Sequence, residues 1–170
     1  ARRQPDYMVR DLLENSGDQT GTRQLGLDGL TGFNTAHPVD LYNANAGTFS
    51  NDFTAGGFAT TFPKAGGGTS AVTVGGAFSP TAVMTSIEYM MTFKAEDGEA
   101  LGIVPNQIMV HPLLRGEAEV VLKNSFFAPP AWGTVTGQVG SAENAISRFG
   151  VDLIINPFLT QAYTWYIADT

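Results

Sequence analysis

Cysteine is missing altogether from the 170 residues, which removes any disulfide framework and any thiolate metal site and is compatible with a reducing compartment. Charge is scarce too: Asp, Glu, Lys and Arg make up 15% of the chain, against about a quarter in an average protein. Much of the surface is therefore neutral, which suits a subunit whose faces are occupied by neighbours. Cations are the rarer sign, 9 Lys and Arg against 16 Asp and Glu, for a net charge of -7. Phosphate recognition needs clustered cations, so the balance argues against a general nucleic-acid binder, and Arg2-Arg3 is the only basic doublet. No apolar run approaches the roughly 20 residues of a membrane span, and the first residues carry no signal-peptide pattern. Beginning at Ala1 and stopping at Thr170 just after an apolar run, the chain reads as a processed chain or an excised fragment.

The catalytic inventory is equally thin. There are two histidines, His37 and His111, each directly before a proline. The ordinary reading of His37 is a turn residue bonded to nearby backbone, and of His111 a residue at a strand-to-helix junction. A Cys/His nucleophile pair is impossible, and no Gly-x-Ser-x-Gly elbow is present. Gly66-Gly67-Gly68-Thr69-Ser70 is shaped like a phosphate loop but lacks the lysine and the strand-loop-helix context. Glu96-Asp97-Gly98-Glu99 gathers carboxylates without the alternating oxygen ligands of a calcium loop, so a solvated turn is the expectation. Met84, Met90 and Met91 read as core or interface filler. No catalytic residue, metal or cofactor is expected.

What the chain has in abundance is glycine and phenylalanine between residues 26 and 80. Gly56-Gly57, Gly66-Gly67-Gly68 and Gly75-Gly76 alternate with Phe33, Phe49, Phe53, Phe58, Phe62 and Phe78. Glycine supplies no side chain to bury, while each ring carries a large apolar surface. So long a connecting segment in a compact domain implies a task of its own, and lying against another molecule would cover the rings. Phe49, Phe53, Phe58 and Phe62 are the candidate inter-subunit contacts. Lys64, at the tip of a predicted hairpin, joins them as a candidate that could meet a neighbour's carboxylate or amide. Its ordinary reading is a solubilising tip charge.

A coarse pass predicts a helix over residues 5–15, with Pro5 at its start and Asn15-Ser16-Gly17 as a stop. Strands over 58–63 and 70–75 form the hairpin. Ser79-Pro80 caps a helix running to about Lys94, with Val83, Ile87, Met90 and Met91 on its apolar face. A strand over 106–110 leads into a helix over 112–123 whose inner face is Leu114, Ala118, Val121 and Leu122. Residues 124–143 are loop-rich, and strands over 151–155 and 163–167 close the chain. Helices and strands without regular alternation indicate α+β.

The succession Gly29-Leu-Thr-Gly-Phe33-Asn-Thr-Ala-His37-Pro38-Val39, a Gly/Asn/Phe-rich loop, and the Ser79-Pro80 helix resembles Mu-like bacteriophage major head subunits, the gpT family. So does the remainder: Ile103-Val104-Pro105-Asn106-Gln-Ile-Met-Val110-His-Pro112, a helix with Glu117-Ala118 and Val121-Leu122, then Asn144 ahead of Val151-Asp-Leu-Ile-Ile-Asn-Pro157 and Tyr163-Thr-Trp165-Tyr166-Ile-Ala-Asp169. The likeness covers most of residues 26–170 and is poorest before residue 20 and over 124–143.

The resemblance implies the tailed-phage and herpesvirus-type capsid fold: an N-terminal arm or helix over 1–20, an extended β-hairpin loop over 21–78, and a spine helix of the peripheral domain over 79–99. Residues 100–170 would hold peripheral strands and part of the axial domain. Family subunits are longer, so part of the fold is expected to be missing. The implied function is a major capsid protein, not an enzyme, that self-assembles into an icosahedral head shell around phage DNA. Implied partners are copies of itself in pentamers and hexamers, with scaffold, portal and decoration proteins as further candidates and packaged DNA held only non-specifically. The implied location is the virion, assembled in the host cytoplasm, with no membrane. Two alternatives stay open: another phage structural, tail or decoration protein gripping a different partner, and a phage hydrolase using His37 or His111 with an acidic residue.

Overall fold

The structure, a computed structural model, describes residues 9, 13–14, 28–53, 58–63, 67–95, 97–124, 126–127 and 142–170. Among the described residues nine strands follow in chain order: β1 (His37–Pro38), β2 (Thr48–Phe49), β3 (Phe58–Pro63), β4 (Thr69–Val74), β5 (Gln107–Val110), β6 (Phe126–Phe127), β7 (Ala142–Glu143), β8 (Asp152–Ile155) and β9 (Trp165–Ala168). The α-helices described over their whole length, α1 (Pro80–Met90) and α2 (Arg115–Lys123), pack with them, so the described residues are α+β. Of the helix expected over 5–15, Val9, Leu13 and Glu14 are helical and the rest lies outside the described residues.

The core forms around β5. It pairs in parallel with β8, Ile108 opposite Leu153, and antiparallel with β9, Ile108 opposite Ile167. Alternation along a strand sends every second side chain to one face. Ile108 and Val110, both fully buried, therefore meet Leu114, Ala118, Val121 and Leu122 of the following helical stretch, Val83 and Ile87 of α1, and Ile146. The apolar face expected for α2 is the buried one, and the predicted strands shift at their ends by one or two residues.

Helix α1 starts as its sequence dictates: Ser79 accepts from the Ala82 amide at 3.1 Å, and Pro80 occupies the first turn. It stops at Met90, not near Lys94. The Thr92 and Phe93 amides reach back only three residues, to Tyr89 and Met90, and Lys94 then leaves to form a β-bridge with Ala100. The inner face also differs from the expected stripe. Met91 falls beyond the helix and is exposed, while Ser86 and Thr85 are buried. These small polar residues fit because the Thr85 hydroxyl donates to the Thr73 carbonyl of β4 at 3.0 Å and Ser86 to Ala82 at 2.7 Å. A large apolar residue at 85 would hold the hairpin off the helix.

The hairpin itself forms as predicted, β3 on β4 with Phe58 opposite Val74 and Pro63 opposite Thr69. Its second strand begins one residue earlier than expected and releases Gly75. This glycine has φ of +75°, and a Cβ there would stand 2.3 Å from the Phe53 Cβ, so only glycine fits. The return from hairpin to core is then fixed by the Trp165 indole, which donates to the Gly76 carbonyl at 2.9 Å, and by its edge-on contact with Phe78.

Of residues 124–143, β6 and β7 pair antiparallel and lead back to Asn144. Asn144 is fully buried and completely satisfied. Its amide nitrogen donates to the Val121 and Asn124 carbonyls at 2.8 and 2.7 Å, closing the end of α2, while its oxygen accepts from Ile146 and opens the next turn. Among the described residues no helix is long and apolar enough to cross a membrane.

Two stability predictions follow from these contacts. Asn144→Leu strands buried carbonyls and lowers unfolding stability by about 1–3 kcal/mol in urea titration. Gly75→Ala, forced into the left-handed region against Phe53, costs roughly 1–3 kcal/mol in the same assay, whereas Gly68→Ala, with open space around it, costs less.

Candidate functional site

The segment before the hairpin is organised by side chains rather than by long secondary structure. Asp28 accepts from the Leu30 amide at 3.0 Å and meets His37 Nδ1 at 2.6 Å. Asn51 clamps the two halves of the segment: its oxygen accepts from the Asn34 amide and its nitrogen donates to the Gly32 carbonyl, both at 2.8 Å. This brings β1 beside β2, with His37 opposite Phe49.

A continuous run of rings starts there. His37 stacks on Phe49 at 5.5 Å between centroids, and Phe49 tilts against Phe93 at 5.1 Å. Phe93 sits edge-on to Tyr89 at 5.1 Å, and Tyr89 edge-on to Phe53 at 5.7 Å. Such pairs contribute about 0.5–1.5 kcal/mol each beyond their area. Phe49 and Phe53, expected to need a neighbour for cover, thus find partners on the C-terminal end of α1 and just beyond it. Both stay half-buried, as does Phe62 on β3. The Phe58 backbone belongs to β3, while its side chain and Lys64 lie outside the described residues.

His37 does not bond backbone as expected; its partner is the Asp28 carboxylate. That pair has the composition of a catalytic dyad but not the access. Its outer nitrogen, Nε2, is buried and meets no hydrogen-bond partner among the described residues. The pair acts as a brace. The His37 hydrogen bond, and next the Leu30 amide, hold the Asp28 carboxyl below its ordinary range. No sequence signal singles out Asp28; the two residues are nine apart across a glycine turn.

The remaining motifs resolve into structure. His111 stands at the strand-to-helix junction as expected, its Nδ1 accepting from the Leu113 amide at 3.1 Å, which puts the ring proton on Nε2. In the acidic turn, Asp97 accepts from the Glu99 amide at 3.0 Å, and Glu96 lies outside the described residues. Gly67 and Gly68 turn a hairpin and do not precede a helix. No group of three or more potential metal ligands occurs among the described residues.

An open groove of about 420 Å³ lies between the start of α1 and the outer side of α2, lined by Phe78, Pro80, Gly116, Val120 and Val121. Its polar members are Glu117 and Ser79, and the Ser79 hydroxyl is engaged in capping α1. Converging polar groups, the mark of a small-molecule or catalytic pocket, are lacking there. Apolar side chains meet solvent elsewhere too: Tyr42 is 94% exposed, Tyr163 81% and Leu113 72%.

A family model described as phage capsid protein matches residues 1–170. The chain belongs to that family. Comparison with curated proteins and with solved structures gives no match. Membership gives this capsid protein a structural role, a place in the virion and partners in copies of itself. The exposed apolar side chains Tyr42, Leu113 and Tyr163 accord with that role.

Because the Asp28 carboxyl is held low, the brace contributes stability above about pH 4, and this is lost as pH falls through the depressed value. In His37→Ala, the Asp28 carboxyl should titrate at higher pH than in the parent, read by carbon-detected NMR of the side chain. An unchanged titration would show that the hydrogen bond to His37 is not the cause.

Proposed function

We propose that this capsid protein is a major head subunit of the Mu-like, gpT type, whose copies close into an icosahedral shell of pentamers and hexamers around phage DNA. The observation that carries the reading, beyond family membership, is the β3–β4 hairpin. It is tied to the molecule along one strand only: β4 bonds α1 through Thr73 and Thr85, while β3 pairs with β4 alone among the described residues. An edge left open in this way invites pairing with a second chain. On this reading residues 21–78 are the extended loop that crosses a neighbour, α1 is the spine helix, and the β8–β5–β9 sheet with α2 belongs to the axial domain. Obligate interfaces commonly bury more than about 2,000 Å², and repeated weak contacts close a shell. The chain's net charge of -7 fits a lining that holds DNA without gripping it. Scaffold, portal and decoration proteins would be its further partners, and assembly would take place in the host cytoplasm.

The ring contacts divide the four candidate phenylalanines. Phe49 and Phe53 also touch rings within the subunit, so their loss would confound folding with assembly. Phe58 and Phe62, on the hairpin, with Lys64 at its tip, are the contacts assigned to the neighbour. Phe58→Ala with Phe62→Ala should leave the far-ultraviolet circular dichroism unchanged and abolish shells or capsomers in negative-stain micrographs, since truncating an interface aromatic costs about 2 kcal/mol or more. Shells formed at the parent concentration would refute the assignment.

A further inference from the structure

The groove between the start of α1 and the outer flank of α2 is unfinished within the subunit. Phe78, Pro80, Val120 and Val121 make its walls apolar, and Val120 is 49% exposed. Its single charge is Glu117, which is exposed and joins no ion pair among the described residues. The other charges of α2 pair among themselves, Arg115 with Glu119 at 3.0 Å and Lys123 with Glu119 at 4.0 Å. Gly116, the second residue of α2, is the sharper sign. Glycine is less favourable than alanine in a helix, yet the backbone here is not left-handed and a Cβ would meet nothing within 4 Å. Packing within the subunit gives no reason for this glycine; close approach of a second molecule does.

A matching projection stands elsewhere on the chain. Tyr42 is 94% exposed, so its own subunit leaves the ring bare. Its backbone is nonetheless fixed. The Val39 amide donates to the Gly47 carbonyl at 3.1 Å and closes the loop, and the Asp40 carboxylate accepts from the Tyr42 amide at 2.7 Å. Asn43 then caps the turn Ala44–Ala46, accepting from the Asn45 amide at 3.1 Å. A ring held out on a braced loop loses little freedom on binding, and tyrosine carries a hydroxyl that needs a partner once buried.

We propose that Tyr42 of one copy enters the α1–α2 groove of the next, its ring over Gly116 and its hydroxyl donating to Glu117. Family membership makes copies of this chain its partners, and the inference rests on the reading of a self-assembling subunit but not on the hairpin contact. The chemistry of the groove fits a phenol. Apolar walls take the ring, and the lone carboxylate accepts from the hydroxyl in a charge-assisted hydrogen bond. Loop and groove are different patches of one surface, so the contact is head-to-tail. Copies joined in this way close into a ring when the rotation allows it.

Cysteine is absent from the chain, so two introduced thiols report the contact cleanly. Leu41→Cys, beside Tyr42, and Leu113→Cys, one turn before Gly116, are exposed positions that leave the proposed contact intact. Treated with a short bismaleimide, this double variant should give a ladder of linked copies on a denaturing gel. Gly116→Leu in the same background puts a side chain into the groove and should abolish the ladder with the far-ultraviolet circular dichroism unchanged. Tyr42→Phe should need about ten-fold more protein for the same ladder, and Tyr42→Ala should give none. No ladder, or a ladder that survives Gly116→Leu, would overturn the proposal. If Gly116→Leu fails to fold, a ladder that survives Tyr42→Ala on its exposed loop overturns it equally. Shells from the parent without a ladder sink the docking contact alone, whereas a ladder without shells upholds it and sinks the icosahedral reading.

Discussion

A strand of four residues holds the described fold together because it has no free edge. Both ladders of β5 are occupied, one parallel and one antiparallel, and its inward pair Ile108 and Val110 is completely sealed. Everything else is arranged by reference to those two side chains. Helix α2 follows immediately through the His111-capped turn and lays four apolar residues on them, and α1 adds Val83 and Ile87 from another direction. Burying side chains of this size contributes roughly 1.5–3 kcal/mol each, so the small cluster supplies most of the cohesion. Asn144 completes it from within, a polar residue in an apolar place that joins two elements by bonding the backbone of both.

The second packing centre has a different character. From His37 through Phe49, Phe93 and Tyr89 to Phe53, rings stacked, tilted and edge-on follow one another along the far end of α1. Glycine-rich backbone makes the arrangement feasible, because rings approach closely where no Cβ intervenes, as at Gly75. Low charge and abundant phenylalanine therefore serve two ends at once in this capsid protein. Part of the aromatic surface consolidates the subunit, and part, under the proposed reading, is held out for a sister copy.

How much of this was legible beforehand depends on the range of the interaction. The α1 cap, the hairpin, the inner face of α2 and the His111 junction are local patterns, and each was readable from residues within one or two turns. The end of α1 was not, because Lys94 is drawn away by a bridge to Ala100 that competes with further helix. The buried positions of Thr85 and Ser86 were hidden for a similar reason: their hydroxyl partners lie in the preceding strand and the previous turn. Asp28 and His37 join across a spacing that carries no period at all. Compositional reasoning about the phenylalanines saw that they needed cover but had no means of telling an internal partner from an external one.

Among the described residues the hairpin is bonded to the rest of the molecule through β4, and this has a mechanical consequence. Under the proposed reading, a neighbour pulling on β3 along the strand direction would load all six cross-strand pairs in shear, and they would resist together. The same pull applied at right angles peels the pairs one after another from the end, which takes far less force. Anisotropy of this sort would make the hairpin stiff against sliding over the shell surface and compliant against lifting from it. The hydrogen bond from Thr85 to the Thr73 carbonyl would then pass a sliding load from β4 to α1.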